Sequence, residues 1–269
     1  MSDKLLDIKD LNVSIKNGKR TIPILKNVSF SVKKGGSIGI IGQSGAGKSM
    51  TMYAITDLLP PSASVTGSIV FYGKDDILQM KAKDRRRYCS KNAAIILQDS
   101  INALTPYKKI YDQLEETVIF HHGFSKSEAK DRIYEMMDIF SIDTDTLGKY
   151  PHQFSGGMRQ RIAIAMALES DADLLIADEP TTSLDVISQM KFIKFIKKIR
   201  EEKNMTLLYI SHNLGLVDML CDYAYVMKNG EVVEHGSTTA LFSSPQNEYT
   251  KEMVKGTKDL VSDKKTGRF

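Results

Sequence analysis

The stretch Gly42-Gln43-Ser44-Gly45-Ala46-Gly47-Lys48-Ser49 constrains this chain more than any other. It fits G-x-x-x-x-G-K-[ST], where glycines let the backbone wrap closely and aim its amides at phosphate oxygens. The motif carries weight only between an apolar strand and a helix. Ser37–Ile41 reads as that strand, and the segment opening at Met50 and closing near Leu58 reads as that helix. The helix adds its positive N-terminal end at Met50. Lys48 is then placed to reach the β- and γ-phosphates of a nucleotide, and the Ser49 hydroxyl to bind Mg²⁺.

Such a loop needs a carboxylate for its magnesium. Leu174-Leu175-Ile176-Ala177 ends in Asp178-Glu179, with Pro180 as a stop. Asp178 fits a Mg²⁺ ligand acting through water, since Mg²⁺ keeps several waters and takes few carboxylates. Glu179, at the strand tip, is positioned to orient or deprotonate an attacking water. These features define a P-loop nucleotide hydrolase. By themselves they leave a transporter motor, a GTPase and a small-molecule kinase all open.

The 269 residues allow one large domain or two small ones and need no disulfide staple. A hydrophobic share of 42% and a charged share of 26% are ordinary for a globular chain. No apolar run approaches the ~20 residues that span a bilayer. The net charge of +4 is too small to argue for nucleic acid. Cys89 and Cys221 form no CxxC pair and read as two reduced thiols. MSDKLLDIKD carries no secretory pattern, so the chain is expected to stay where it is made.

Elsewhere the first third reads as strands. One runs from Leu6 to Ile15 with a single irregularity, and Val28, Phe30 and Val32 mark another, with Asn17-Gly18 as a hairpin turn between them. Ser68–Tyr72 and Ala93–Leu97 follow. The chain from Lys108 to about Leu168 is helical in pattern, with a capping box at Ser125 to Glu128 and a packed face of Ile133, Met136, Met137 and Phe140. Strands then alternate with helices, which argues for an α/β sheet with a helical insertion. The helix Ile187–Lys203 precedes the strand Thr206–Ile210, and Asn229-Gly230 turns the last hairpin.

Ser155-Gly156-Gly157-Met158-Arg159-Gln160 opens a helix upstream of the acidic pair. With the phosphate loop and Asp178-Glu179, it closely resembles the ATP-binding cassette (ABC) family, from Leu5 to about Val254. Gln98 resembles the family's glutamine-loop residue, which implies contact with Mg²⁺ and the attacking water. Ser183-Leu184-Asp185 resembles the loop linking two active sites, and His212 the switch histidine that senses the γ-phosphate. The resemblance implies the P-loop NTPase fold with ABC ATPase architecture: a RecA-like core, an antiparallel β subdomain and a helical subdomain. It implies one nucleotide-binding domain over 1–254, with core and β subdomain at 1–100 and 165–254, the helical subdomain at 101–164 and a flexible tail at 255–269.

Finer matches run from Tyr150 through Arg161, Ala163–Leu168 and Ala177–Val186, then Gln98-Asp99 with Ala103–Pro106, and Pro245–Thr250. They resemble the ATPases of peptide/nickel importers, and Met158 resembles the first of the two ATPases such importers pair. The resemblance implies ATP and Mg²⁺ as ligands and a head-to-tail sandwich, with Ser155, Gly156 and Gly157 of one cassette facing the γ-phosphate held by the other. A homologous second cassette is expected, with a homodimer left open. Two membrane permeases, with an extracytoplasmic solute-binding protein acting indirectly, complete the expected set at the cytoplasmic face of the membrane. Peptides, nickel or cobalt, and metal chelates all fit as cargo. A soluble cassette acting on ribosomes or DNA is the alternative. Ile15 falls where many cassettes stack an aromatic residue on adenine. Some relatives carry a cysteine cluster for iron–sulfur, and two distant cysteines cannot supply one. His121-His122 reads as a solvated turn rather than a metal site, and the basic run Lys81–Lys91 as a solvated helix face.

Overall fold

The computed structural model describes residues 3–97, 103–170, 172–182 and 186–256. Two sheets organise it. The first is antiparallel, with spatial order β2-β1-β4-β5. It contains β1 (Lys4–Asn17), β2 (Arg20–Lys33), β4 (Ala63–Phe71) and the short β5 (Asp75–Asp76). Gly18, at φ +61°, turns β1 into β2 with Asn17 facing Arg20. Positive φ costs glycine little, which is why the turn sits there. The single irregularity expected in β1 becomes several register shifts along its pairing with β2. Asp10 sits at φ +48°, and its amide donates to Ser29 Oγ at 2.9 Å. β4 begins earlier than expected and stops before Tyr72, whose φ of +53° turns the chain away.

The second sheet has the order β10-β9-β3-β8-β7-β6. These strands are β3 (Ser37–Ile41), β6 (Ala93–Ile96), β7 (Leu174–Asp178), β8 (Thr206–Ser211), β9 (Tyr223–Lys228) and β10 (Glu231–Ser237). All neighbours pair in parallel except β9 and β10. The unbroken apolar runs of β3, β7 and β8 follow from burial on both faces. Alternate residues go to opposite sides. Ile40, Leu174, Ile176, Leu208 and Ile210 pack towards the antiparallel sheet. Ile41, Leu175, Ala177, Leu207 and Tyr209 pack into the core shared with the helices.

Those helices are α1 (Lys48–Ile55), α2 (Ala82–Asn92), α3 (Ile110–His122), α4 (Lys126–Ile139), α5 (Gly156–Leu168), α6 (Val186–Lys203), α7 (Leu214–Leu220), α8 (Thr238–Ser243) and α9 (248–256). The capping box forms as expected: Ser125 Oγ accepts from the Glu128 amide, and the Glu128 carboxylate accepts from the Ser125 amide. Ile133, Met136 and Met137 of α4 are fully buried and Phe140 nearly so. α5 runs unbroken through position 164, where the sequence reading divides the subdomains. α9 extends past Val254.

One local expectation fails. His121 and His122 form the last turn of α3, not a solvated turn. His122 Nε2 lies 3.1 Å from Glu169 Oε2, and Arg132 donates to the same carboxylate from Nε and Nη2 at 3.0 and 2.8 Å. Glu169 is 2% exposed, so its buried charge requires this pairing. Among the described residues no group of three or more His, Cys, Asp or Glu is placed to hold a metal. Cys89 and Cys221 are both free and buried, and burial pushes both thiols up, Cys89 to about 11.

Candidate active site

The phosphate loop leaves the centre of the parallel sheet. β3 lies between β8 and β9 with all of its residues buried, so the loop starts from a fixed anchor. Gly42 packs against the end of β9, and a Cβ there would fall 2.4 Å from Met227 O. Gly47 caps α1 at φ +102°, a conformation that L side chains rarely adopt. The loop also hangs on the β9–β10 turn through a Gly230 amide to Ala46 carbonyl bond of 3.1 Å.

Lys48 starts α1, two residues earlier than the sequence places the helix. Its Nζ donates to Gly42 O at 2.8 Å and Gln43 O at 3.0 Å, and its side chain is only 6% exposed. Burial pushes the ammonium below its usual range, while the nearby negative charges of Glu179 and Asp178 pull it back. Ser49 lies beside Asp178, the last residue of β7. Burial pushes the Asp178 carboxyl up, and its hydrogen bond with Ser49 opposes that shift. A buried cation, a buried carboxylate and a hydroxyl therefore meet at one loop.

Glu179 takes φ +45°, a left-handed conformation that is strained for a glutamate. Its amide still donates to Ile210 O at 2.9 Å, so the bend occurs just as the chain leaves the sheet. The bend directs the carboxylate to the loop: Oε1 is 4.0 Å from Lys48 Nζ and 3.0 Å from His212 Nδ1. Oε2 accepts from Thr182 Oγ1 at 3.3 Å. His212 follows β8 directly and is 60% exposed, so it faces the open side of the site.

A cleft of about 730 Å³ joins these groups. Gln43, Ser44, Gly45, Gly47, Lys48, Ser49 and Met50 line it together with Glu179 and His212, all of them expected from the sequence. Gly42 and Ala46 lie behind the lining, in the body of the loop. Ile24 and Thr182 also line the cleft. Ile15 is not in the lining: it pairs with Ile22 near the tip of the β1–β2 hairpin. Gln98 and Asp185 lie outside the described residues.

The Ser155-Gly156-Gly157 corner is separate from this cleft. Ser155 caps α5, its Oγ accepting from the Met158 amide at 3.3 Å. The space a Gly157 Cβ would take has no neighbour within 4 Å. The far side of α5 is tied to the acidic loop, because buried Gln160 donates from Nε2 to the Pro180 carbonyl. The helix carrying Ser155 is thus fastened to the turn that follows Glu179.

The ABC transporter family profile matches residues 25–182, from Leu25 beside Gly47 to Thr182 beside Glu179. The chain belongs to the ABC transporter family. It is 38% identical over 255 residues to the dipeptide transport ATP-binding protein DppD of Bacillus subtilis, covering 94% of this chain and 76% of that protein. It is 36% identical over 251 residues to the oligopeptide transport ATP-binding protein OppD of Escherichia coli, covering 93% and 74%. A dimeric ATP-binding cassette in a post-hydrolysis state, bound to ADP and Pi, superposes with a TM-score of 0.78 at 26% identity, over 87% of this chain and 98% of that one. The cbiO1 protein of Clostridium perfringens, part of an ABC transporter complex, gives 0.74 at 26% identity, over 90% and 92%. This ABC cassette is therefore an ATP-binding ATPase, and the two sheets and helical block expected from the motifs are those of its family. The GTPase and small-molecule kinase readings end here.

Proposed function

We propose that this cassette energises a peptide importer at the cytoplasmic face of the membrane. The observation that carries this reading is the match over nearly the whole chain to ATP-binding proteins named for dipeptide and oligopeptide transport. The relatives give no comparable support to nickel, cobalt or metal chelates, or to a ribosome- or DNA-directed role.

In this reading the loop amides from Gly42 to Met50 and the Lys48 ammonium hold the ATP phosphates. Ser49 and Asp178 hold Mg²⁺: a hydroxyl beside a buried, hydrogen-bonded carboxylate suits a hard cation that takes few protein ligands. When bound, Mg²⁺ offsets the charge on the β- and γ-phosphates. Glu179 orients the attacking water and takes its proton as the new P–O bond forms and the bond to ADP breaks. His212, 3.0 Å from that carboxylate, couples the state of Glu179 to the open face of the cleft. Gln98 completes the water and Mg²⁺ contacts. Ile24 stands beside the loop as an apolar contact for the nucleoside, and Ile15, beyond the cleft lining near the tip of the β1–β2 hairpin, meets the adenine face.

A second cassette supplies its own Ser155, Gly156 and Gly157 across the γ-phosphate, with Asp185 linking the two sites. The two permeases dock on the helical block, whose exposed Phe120 and Tyr107 are each 83% accessible. The solute-binding protein acts through the permeases. A strain lacking this chain should lose uptake of labelled di- and oligopeptides, regain it with the wild-type chain, and not with Glu179→Gln. Unimpaired peptide uptake, with loss of nickel uptake instead, would overturn the peptide reading.

A further inference from the structure

The end of the described chain returns to the phosphate loop. Tyr249, on α9, is only 6% exposed, and its hydroxyl oxygen accepts from the Gln43 amide at 2.9 Å. That amide belongs to the same peptide plane as the Gly42 carbonyl, which accepts from Lys48 Nζ at 2.8 Å. The peptide unit is rigid, so turning it would disturb both contacts at once. The plane is held at one edge by the lysine expected to meet the phosphates and at the other by a tyrosine 206 residues further along the chain.

Tyr249 is itself fixed. Lys228 Nζ sits 4.7 Å above its ring, at the end of the strand whose Met227 carbonyl packs on Gly42. The turn before α9 is held by Glu234, whose carboxylate accepts from the Gln246 and Asn247 amides at 2.7 and 3.1 Å. Asn247 Oδ1 then accepts from the Tyr249 amide at 2.9 Å. A tyrosine that only filled space between α9 and the sheet would need its ring and not its hydroxyl.

We propose that Tyr249 is a positioning residue for ATP binding: its hydroxyl sets the Gly42–Gln43 peptide, and through it the place from which Lys48 meets the phosphates. The C-terminal helix is thereby coupled to nucleotide affinity. Y249F keeps the ring and its contact with Lys228 and removes only the acceptor. E234Q loosens the anchor of the same segment without touching the loop. On the full chain, Y249F should raise the Kd for the non-hydrolysable analogue AMP-PNP by about three- to tenfold, the range of one hydrogen bond. Its nucleotide-free melting temperature should fall less than that of E234Q, which keeps the hydroxyl and should raise Kd by clearly less than Y249F does. An unchanged Kd in Y249F would overturn the proposal. So would an equal rise in Kd in E234Q, because docking of the segment as a whole would then account for the effect.

Discussion

The phosphate loop and the Ser155 corner, the two ends proposed to face nucleotide, are built to different standards. The phosphate loop is anchored: Lys48 and Asp178 are nearly inaccessible, and the loop is pinned by β9, by Gly230 and by Tyr249. The Ser155 corner is open, with no neighbour beside Gly157 and no place in the cleft. A helix start that satisfies its own cap and still presents free amides is prepared for an anion that this chain does not bring to it. In the proposed function, one chain therefore carries two halves of two different sites. On that proposal the buried half fixes affinity and chemistry, and the exposed half is completed by association.

The largest expected effect lies in the buried half. Glu179→Gln should lower turnover by about 10³-fold while leaving nucleotide affinity near wild type, because it removes a proton acceptor and not a phosphate contact. Steady-state phosphate release and AMP-PNP titration check both parts, and near-normal turnover would remove Glu179 from the role of base. In the exposed half, Ser155→Ala should cost about 10²-fold in turnover of the assembled transporter, as for the loss of one preorganised donor. The Kd of the isolated chain for AMP-PNP should not move, and a matching loss of affinity there would erase the distinction between the ends.

Arg132→Met acts on the fold outside the site. It leaves buried Glu169 short of its main partner and should destabilise the fold by about 2 kcal/mol, below the usual range for a buried pair because Arg132 is partly exposed. Urea unfolding measures that loss, and AMP-PNP affinity should be unchanged. Ser125→Ala is the smallest change: loss of the cap on α4 should cost about 1 kcal/mol by the same measurement, with affinity again unmoved.

Much of this was legible in the sequence because the chemistry of phosphate binding is local. Gly42, Gly47, Lys48 and Ser49 need a fixed spacing along one turn of chain, and β3 appears with the expected limits. The capping box at Ser125 was legible for the same reason. What was hidden depends on contacts distant in sequence. Nothing near Tyr249 marks it as a partner of Gln43, and nothing near His122 marks Glu169, 47 residues away. Ile24 was hidden because its place in the cleft follows from how β2 passes the loop. The left-handed turn at Glu179 was also invisible, since glutamate has no preference for it and the surrounding sheet imposes it.

In the proposed function this chain hydrolyses ATP only with a second cassette across the nucleotide. The most direct test is the ATPase activity per mole of purified chain, followed over serial dilution. It should fall towards zero on dilution, or be absent throughout if the second cassette must be a different protein, and adding the second cassette should restore it. A constant, non-zero activity per chain at every dilution, unchanged by Ser155→Ala, would contradict it.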